Sequence, residues 1–209
     1  MSLALLRHVP ALLDLLPEAV LHEAIQATEF QKDLVVTSQH PANFIGTFRW
    51  AERTAHLRRL ADPEAWQYYS SQGQEGIQHR DGLYVVVTVS GTASTGRKEL
   101  GPLRTRRRGP STLRRVKCNE AQLDTNVDLF GGGAIKEPEP LLVLWVVYCE
   151  GDKVYSELAV PDGMKTEGLD TVFECVERVP LGVVDLADIP VDDEDGGGEG
   201  DLDIPIAER

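Results

Sequence analysis

Apolar residues recur along this chain in two rhythms, helical and strand-like, and they change over near residue 65. Leu5, Leu12, Leu15, Leu16, Ala19, Val20, Ala24 and Ala27 fall at helical spacing, and Pro10 and Pro17 divide them into two short helices or one kinked helix. A further helix is expected over FIGTFRWAERTAHLRRL, with Asn43 placed to cap it and Asp62-Pro63 to end it. Its apolar stripe is Phe48, Ala51, Ala55, Leu57 and Leu60, which turns Glu52, Arg53, Arg58 and Arg59 outwards.

Strand patterns follow. WQYYS, residues 66–70, has strand composition, and GIQHR and LYVVVTVS flank Asp81-Gly82, a pair that signals a type I′ hairpin. From Leu141 to Cys149 nine apolar residues stand in succession, then EGDK, then a run in which Val154, Leu158 and Val160 alternate with Lys153, Tyr155 and Glu157. That pattern predicts a hairpin at the centre of the core, with one buried strand and one more exposed strand. TVFECVERV reads as a last strand, and LRRVKCNEAQL as a helix carrying Leu113, Val116 and Leu123, capped by Ser111 or Thr112. The expected fold is α+β: N-terminal helices packed on a mainly antiparallel sheet of two hairpins, forming a single domain over residues 1–184.

Size fits one core, since 209 residues at 42% hydrophobic content do not require a second. No apolar run approaches the roughly 20 residues of a membrane helix, so no membrane is expected. The N-terminal MSLALLRHVPALLDLLPEAV is interrupted by Arg7, His8 and Asp14 and lacks a small-residue cleavage site, which favours a structural helix over a signal peptide. Cys118, Cys149 and Cys175 are odd in number and without paired spacing, as in a reducing cytoplasm.

Charge changes the picture more than size does. The net charge of −13 conceals a basic island: residues 97–117 hold nine Lys or Arg against Glu99 alone. Residues 185–209 hold ten acidic side chains against Arg209, with too little apolar content to fold alone, and are expected to form a disordered tail. Between Gly91 and Thr112 the Gly-, Pro- and Arg-rich composition predicts a long basic loop, and residues 131–140 read as a linker. Arg97, Lys98, Arg104, Arg106, Arg107, Arg108, Arg114, Arg115 and Lys117 have the density of a nucleic-acid backbone contact. The same segment contains no aromatic residue, so binding would be electrostatic and not sequence-specific. A solvated loop, or one that binds acidic groups of this chain, is the plainer alternative.

Other chemistry is thin. GTASTGRK follows a strand with P-loop-like spacing, but Arg97 and Lys98 stand where the lysine and the magnesium-binding hydroxyl belong. Glu52 and His56 lie four apart on one helix, and with His79 beside Asp81 they make a weak acid/base or metal set; a surface ion pair explains the first two better. No metal-ligand pattern, nucleophile elbow or cofactor fingerprint occurs, so no catalytic residue, metal or cofactor is expected.

Asn126, Val127, Asp128, Leu129 and Phe130 form the peptide NVDLF, which resembles the motif by which many bacterial DNA-processing proteins dock on the replication sliding clamp. Burial of Leu129 and Phe130 in the core is the competing reading. The order FRWAERTAHLRRL, RTRRRGPSTLRRV and LLVLWVVYCEGDKVYSELAVP, spanning about residues 45 to 180, resembles bacterial hypothetical proteins associated with mobile genetic elements. That resemblance implies a bacterial cytoplasmic setting and DNA-associated work, and it assigns no activity. The expected function is a noncatalytic binding protein acting near DNA, with DNA phosphates and the sliding clamp as partners. The alternatives are an acidic interaction protein whose tail engages a protein partner, and an enzyme using Glu52, His56 and His79.

Overall fold

The structure is a computed structural model and describes residues 9–123 and 139–188. In chain order these form α1 (Val9–Leu15), α2 (Glu18–Val35), α3 (Phe44–Leu60), β1 (Trp66–Ser71), β2 (Gln74–His79), β3 (Tyr84–Ser90), β4 (Leu103–Arg106), α4 (Pro110–Leu123), β5 (Leu141–Glu150), β6 (Lys153–Glu167), β7 (Asp170–Pro180) and β8 (Val184–Asp185). The fold is α+β, with helices on a mostly antiparallel sheet.

The unbroken apolar run of β5 reflects burial of both its faces. Leu141, Val143, Trp145 and Val147 enter a core shared with Leu12 of α1, Leu21 and Ile25 of α2, and Leu57 of α3. Leu142, Leu144 and Val146 enter a second core with Val85, Val87 and Val89 of β3, Leu103 of β4, Val116 of α4 and Phe173 of β7. The sheet runs β1-β2-β3-β5-β6-β7-β4, and β8 pairs with the start of β6. Among the described strands only β3 and β5 pair in parallel. A bridge from Gly91 to Thr105 brings β4 back against the end of β3, so β3, β5, β6, β7 and β4 curl into a partly closed barrel around the second core.

Helix α4 is anchored across the barrel by Asn119, which is fully buried. Its amide donates to the carbonyls of Leu142 and Pro161 at 2.8 Å each, and its oxygen accepts from the Leu142 amide at 2.9 Å. Every polar atom of that side chain is therefore engaged with a strand.

Several expectations are corrected in detail. The positive-φ turn pair is Gln72-Gly73 (φ 51 and 75), joining β1 to β2, which is the type I′ pattern; Asp81 lacks the positive φ that a type I′ turn at Asp81-Gly82 would need. Neither Ser111 nor Thr112 caps α4, because the helix starts at Pro110, a residue whose fixed φ suits a first turn. Ser111 instead donates to the Gln72 carbonyl, and Thr112 accepts from Gln74. Asn43 holds the N-cap position of α3 without a side-chain bond. Within the expected basic loop, Leu103–Arg106 is a strand paired with Thr171 to Phe173 and Asp170 of β7. The first residues of the expected tail are ordered structure: Asp185 is the second residue of β8, and a 3-10 turn follows over Leu186–Asp188.

Glu157, expected on an exposed face, is 0% exposed. The segment joining β3 to β4 lies over it, held by Arg178 of β7. That guanidinium forks onto Glu157 at 3.0 to 3.1 Å and donates to the carbonyls of Gly101 (2.8 Å) and Ser94 (2.9 Å). One buried ion pair thus fastens the segment that contains Arg97 and Lys98.

Candidate functional site

The nine basic residues of the island separate once their partners are known. Arg97 pairs with Glu150 at 3.0 Å and lies 3.9 Å over the Tyr155 ring. Arg104 pairs with Glu167 at 3.0 Å, and Arg115 with Glu139 at 2.9 Å while also donating to the Pro140 carbonyl. Those three are neutralised within the chain. Lys98, Arg114 and Lys117 are exposed at separate places on the β3–β4 segment and on α4. Arg106, Arg107 and Arg108 stand together where β4 leads into α4, with Arg106 and Arg107 exposed and Arg108 largely covered.

That triplet forms one wall of an open cavity of about 560 Å³. The opposite wall is α3, which contributes Arg49, Trp50 and Arg53. The floor is made by Ser90, the last residue of β3, with Gly91 after it, and by Val147, Tyr148 and Cys149 near the end of β5. These are the carboxyl ends of the parallel strand pair, the position at which α/β sheets commonly hold ligands. Gly91 is needed there, since a Cβ at that position would collide with the Thr95 hydroxyl and Val146. Five arginines thus line one cavity, and no Asp or Glu lines it.

Helix packing explains how two of them came to be inside. The second half of α2 buries Thr28 and Glu29 rather than apolar residues, and α3 packs on it through Arg53, Thr54, His56 and Leu57. Glu29, 2% exposed, accepts from Arg49 at 2.6 and 3.0 Å and lies 3.5 Å from the Lys32 ammonium. Burial works against the Arg49 cation, but its bonds to Glu29 outweigh this and hold its pKa above the ordinary value. Lys32 also pairs with Asp33 at 2.7 Å. Arg53 is left over. It is 4% exposed, donates from Nε to the Arg49 carbonyl at 2.9 Å, and its Nη1 has no hydrogen-bond partner.

Burial pushes the Arg53 pKa down, with the Glu29 charge opposing it and the Arg49 charge adding to it, and burial alone pushes that of Arg108 down; an arginine nonetheless stays charged at neutral pH. The Arg108 Nε is likewise without a partner. Two guanidiniums facing one cavity, Arg53 buried and Arg108 partly so, thus each have a buried nitrogen without a partner, and no carboxylate is bonded to either. Cys149 donates weakly to Glu29 across 3.8 Å, and burial raises its thiol pKa, so it lies in the floor as a protonated thiol.

Arg53 corrects the reading of α3 that turned Glu52, Arg53, Arg58 and Arg59 outwards. Arg58 also turns inward, donating to the carbonyls of Gly76 and Tyr69 and to Glu75, which ties the β1–β2 hairpin to the helix. The signal for Arg53 was the repeat of Arg49, Arg53 and His56 at helical spacing, one face carrying three nitrogen-rich side chains. What made that face internal was Glu29 on another helix.

Glu52 and His56 do not pair as expected. His56 Nε2 meets Gln31 Oε1 at 3.3 Å, whereas His79 packs edge-on against Trp66 and its Nδ1 accepts from the Asp81 amide. Among the described residues no cluster of His, Cys, Asp or Glu could hold a metal ion, and no helix is long and apolar enough to cross a membrane. Asn126, Val127, Asp128, Leu129 and Phe130, most of the linker and the tail from residue 189 lie outside the described residues. No family model matches the chain, and no match is found among curated proteins or solved structures.

Proposed function

We propose that this chain is a noncatalytic binding protein acting near DNA, and that it holds nucleic-acid phosphate in the arginine cavity between α3 and the β4–α4 junction. One observation carries the reading: five arginines from two distant parts of the sequence meet at a cavity whose lining has no carboxylate. Neutralised cations such as Arg97, Arg104 and Arg115 have intramolecular partners to exchange, so they contribute less to binding than the triplet does. The footprint is smaller than the count of basic residues suggests.

Exposed Arg106 and Arg107 meet the backbone first and draw it in through long-range attraction, screened beyond roughly 8 Å at physiological salt. Neutralising about two to three phosphates gives a fall of log affinity with log salt of slope about −2 to −3 on duplex DNA. The test is fluorescence anisotropy of labelled DNA across a salt series, with Arg106→Glu and Arg107→Glu combined. Loss of binding in the folded double variant supports the reading. Absence of binding by the unsubstituted protein even at low salt rejects it.

A further inference from the structure

We infer that the inner part of the cavity, between Arg53 and Arg108, is a seat for a terminal phosphate group, a phosphomonoester at a strand end, rather than for the internal diesters of a continuous backbone. The inference rests on the nucleic-acid reading above and narrows its ligand.

The charge requirement comes from Arg53 and Arg108. Both line the cavity, each has a buried nitrogen without a partner, and neither bonds a carboxylate. Glu29, the acidic group behind the floor, is already engaged by Arg49 and Lys32. Burying an unpaired cation is costly unless a ligand completes it, and two such cations in one cavity call for a compact anion of nearly two charges. A phosphomonoester carries about −1.5 to −2 at neutral pH and offers three oxygens, which match planar guanidinium forks; an internal diester carries one charge and two free oxygens.

Depth makes the same selection. Arg53 is 4% exposed and shares the cavity lining with Arg49, whose carbonyl it bonds, and with Trp50, whose indole is held by a 3.2 Å bond to the Thr88 carbonyl. A duplex backbone entering and leaving the site must keep both neighbouring sugars outside. A strand end can insert its last group and leave the chain to exit past Arg106 and Arg107.

The experiment compares, at constant ionic strength, a short labelled single strand bearing a terminal phosphate with the same strand ending in hydroxyl. The full chain should bind the phosphorylated strand about tenfold more tightly, the scale of one added charge-assisted interaction. Arg53→Met should abolish that preference, the two strands being compared within the same variant whatever its absolute affinity, and Arg108→Met serves as the second variant if the first does not fold. Equal affinity for the two strands, or a preference that survives in either folded variant, overturns this inference and leaves the nucleic-acid reading standing. Failure of both strands to bind overturns both.

Discussion

Arg178 and Arg53 are both withdrawn from solvent and both reach backbone carbonyls, yet their surroundings differ in one respect. Arg178 has a dedicated carboxylate, Glu157, held in a fork and reinforced by the carbonyls of Ser94 and Gly101. Arg53 has the Arg49 carbonyl and an open cavity. The first arrangement completes itself within the fold and fastens the β3–β4 segment to the barrel. The second leaves Nη1 without a partner, and on the proposal above an anion completes it. The contrast gives Arg178 a structural role and leaves Arg53 as the arginine for which the proposed ligand is needed.

That contrast breaks most visibly in stability. Arg178→Ala should destabilise by about 3–5 kcal/mol, because it leaves Glu157 buried and unmatched and frees the segment over it. Arg53→Met should go the other way: in the absence of anion it should be neutral or stabilising by about 1–2 kcal/mol, since it replaces an unmatched cation by an apolar side chain of similar length. Denaturant unfolding of both variants in chloride buffer separates them. Destabilisation of similar size in both would erase the distinction.

The acidic C-terminal segment sharpens the comparison from another side. Residues 189–209 carry eight acidic side chains, and a tether makes even weak attraction to the arginine triplet competitive at low ionic strength. Ending the chain after residue 188 should therefore raise DNA affinity at low salt by a few-fold, with the gain shrinking as salt is added. Equal affinities of the two forms at the lower salt would show that this segment does not compete.

The smallest expected effect concerns pH. Burial, with Arg59 nearby, holds His56 below its ordinary pKa of 6.5 against the opposing pull of Glu52 and Glu23. A histidine whose folded pKa is depressed binds more protons when unfolded, so its contribution is intact above pH 6.5 and is lost as the pH falls through the folded value. Stability should decline on acidification below neutrality, and His56→Gln should flatten that limb of the profile. An unchanged slope in the variant would remove His56 as its source.

Local pattern revealed much of this fold and little of the site. The bounds of α3, the run that forms β5 and the existence of α4 follow from runs and periodicities within a few residues. β4 did not, because LRTR has no apolar run of its own and gains strand structure from β7, more than sixty residues later in the chain. The island was legible as charge, and Arg106, Arg107 and Arg108 were among its members. Its partition was not, since the carboxylates that neutralise Arg97 and Arg104 come from hairpins distant in sequence. Arg53 was misplaced for a related reason: amphipathic reading sends arginine to solvent, whereas the polar face of α2 drew it inside.

On the proposal above, the cavity between α3 and the β4–α4 junction is an anion seat built on Arg53 and Arg108. Its most direct test is the unfolding free energy of the full chain as inorganic phosphate replaces chloride at constant ionic strength. A saturable gain, reaching about 1.4 kcal/mol when phosphate is ten times its Kd, is predicted for the unsubstituted protein and should vanish in folded Arg53→Met and Arg108→Met variants. No gain over chloride, or the same gain in both variants, would contradict it.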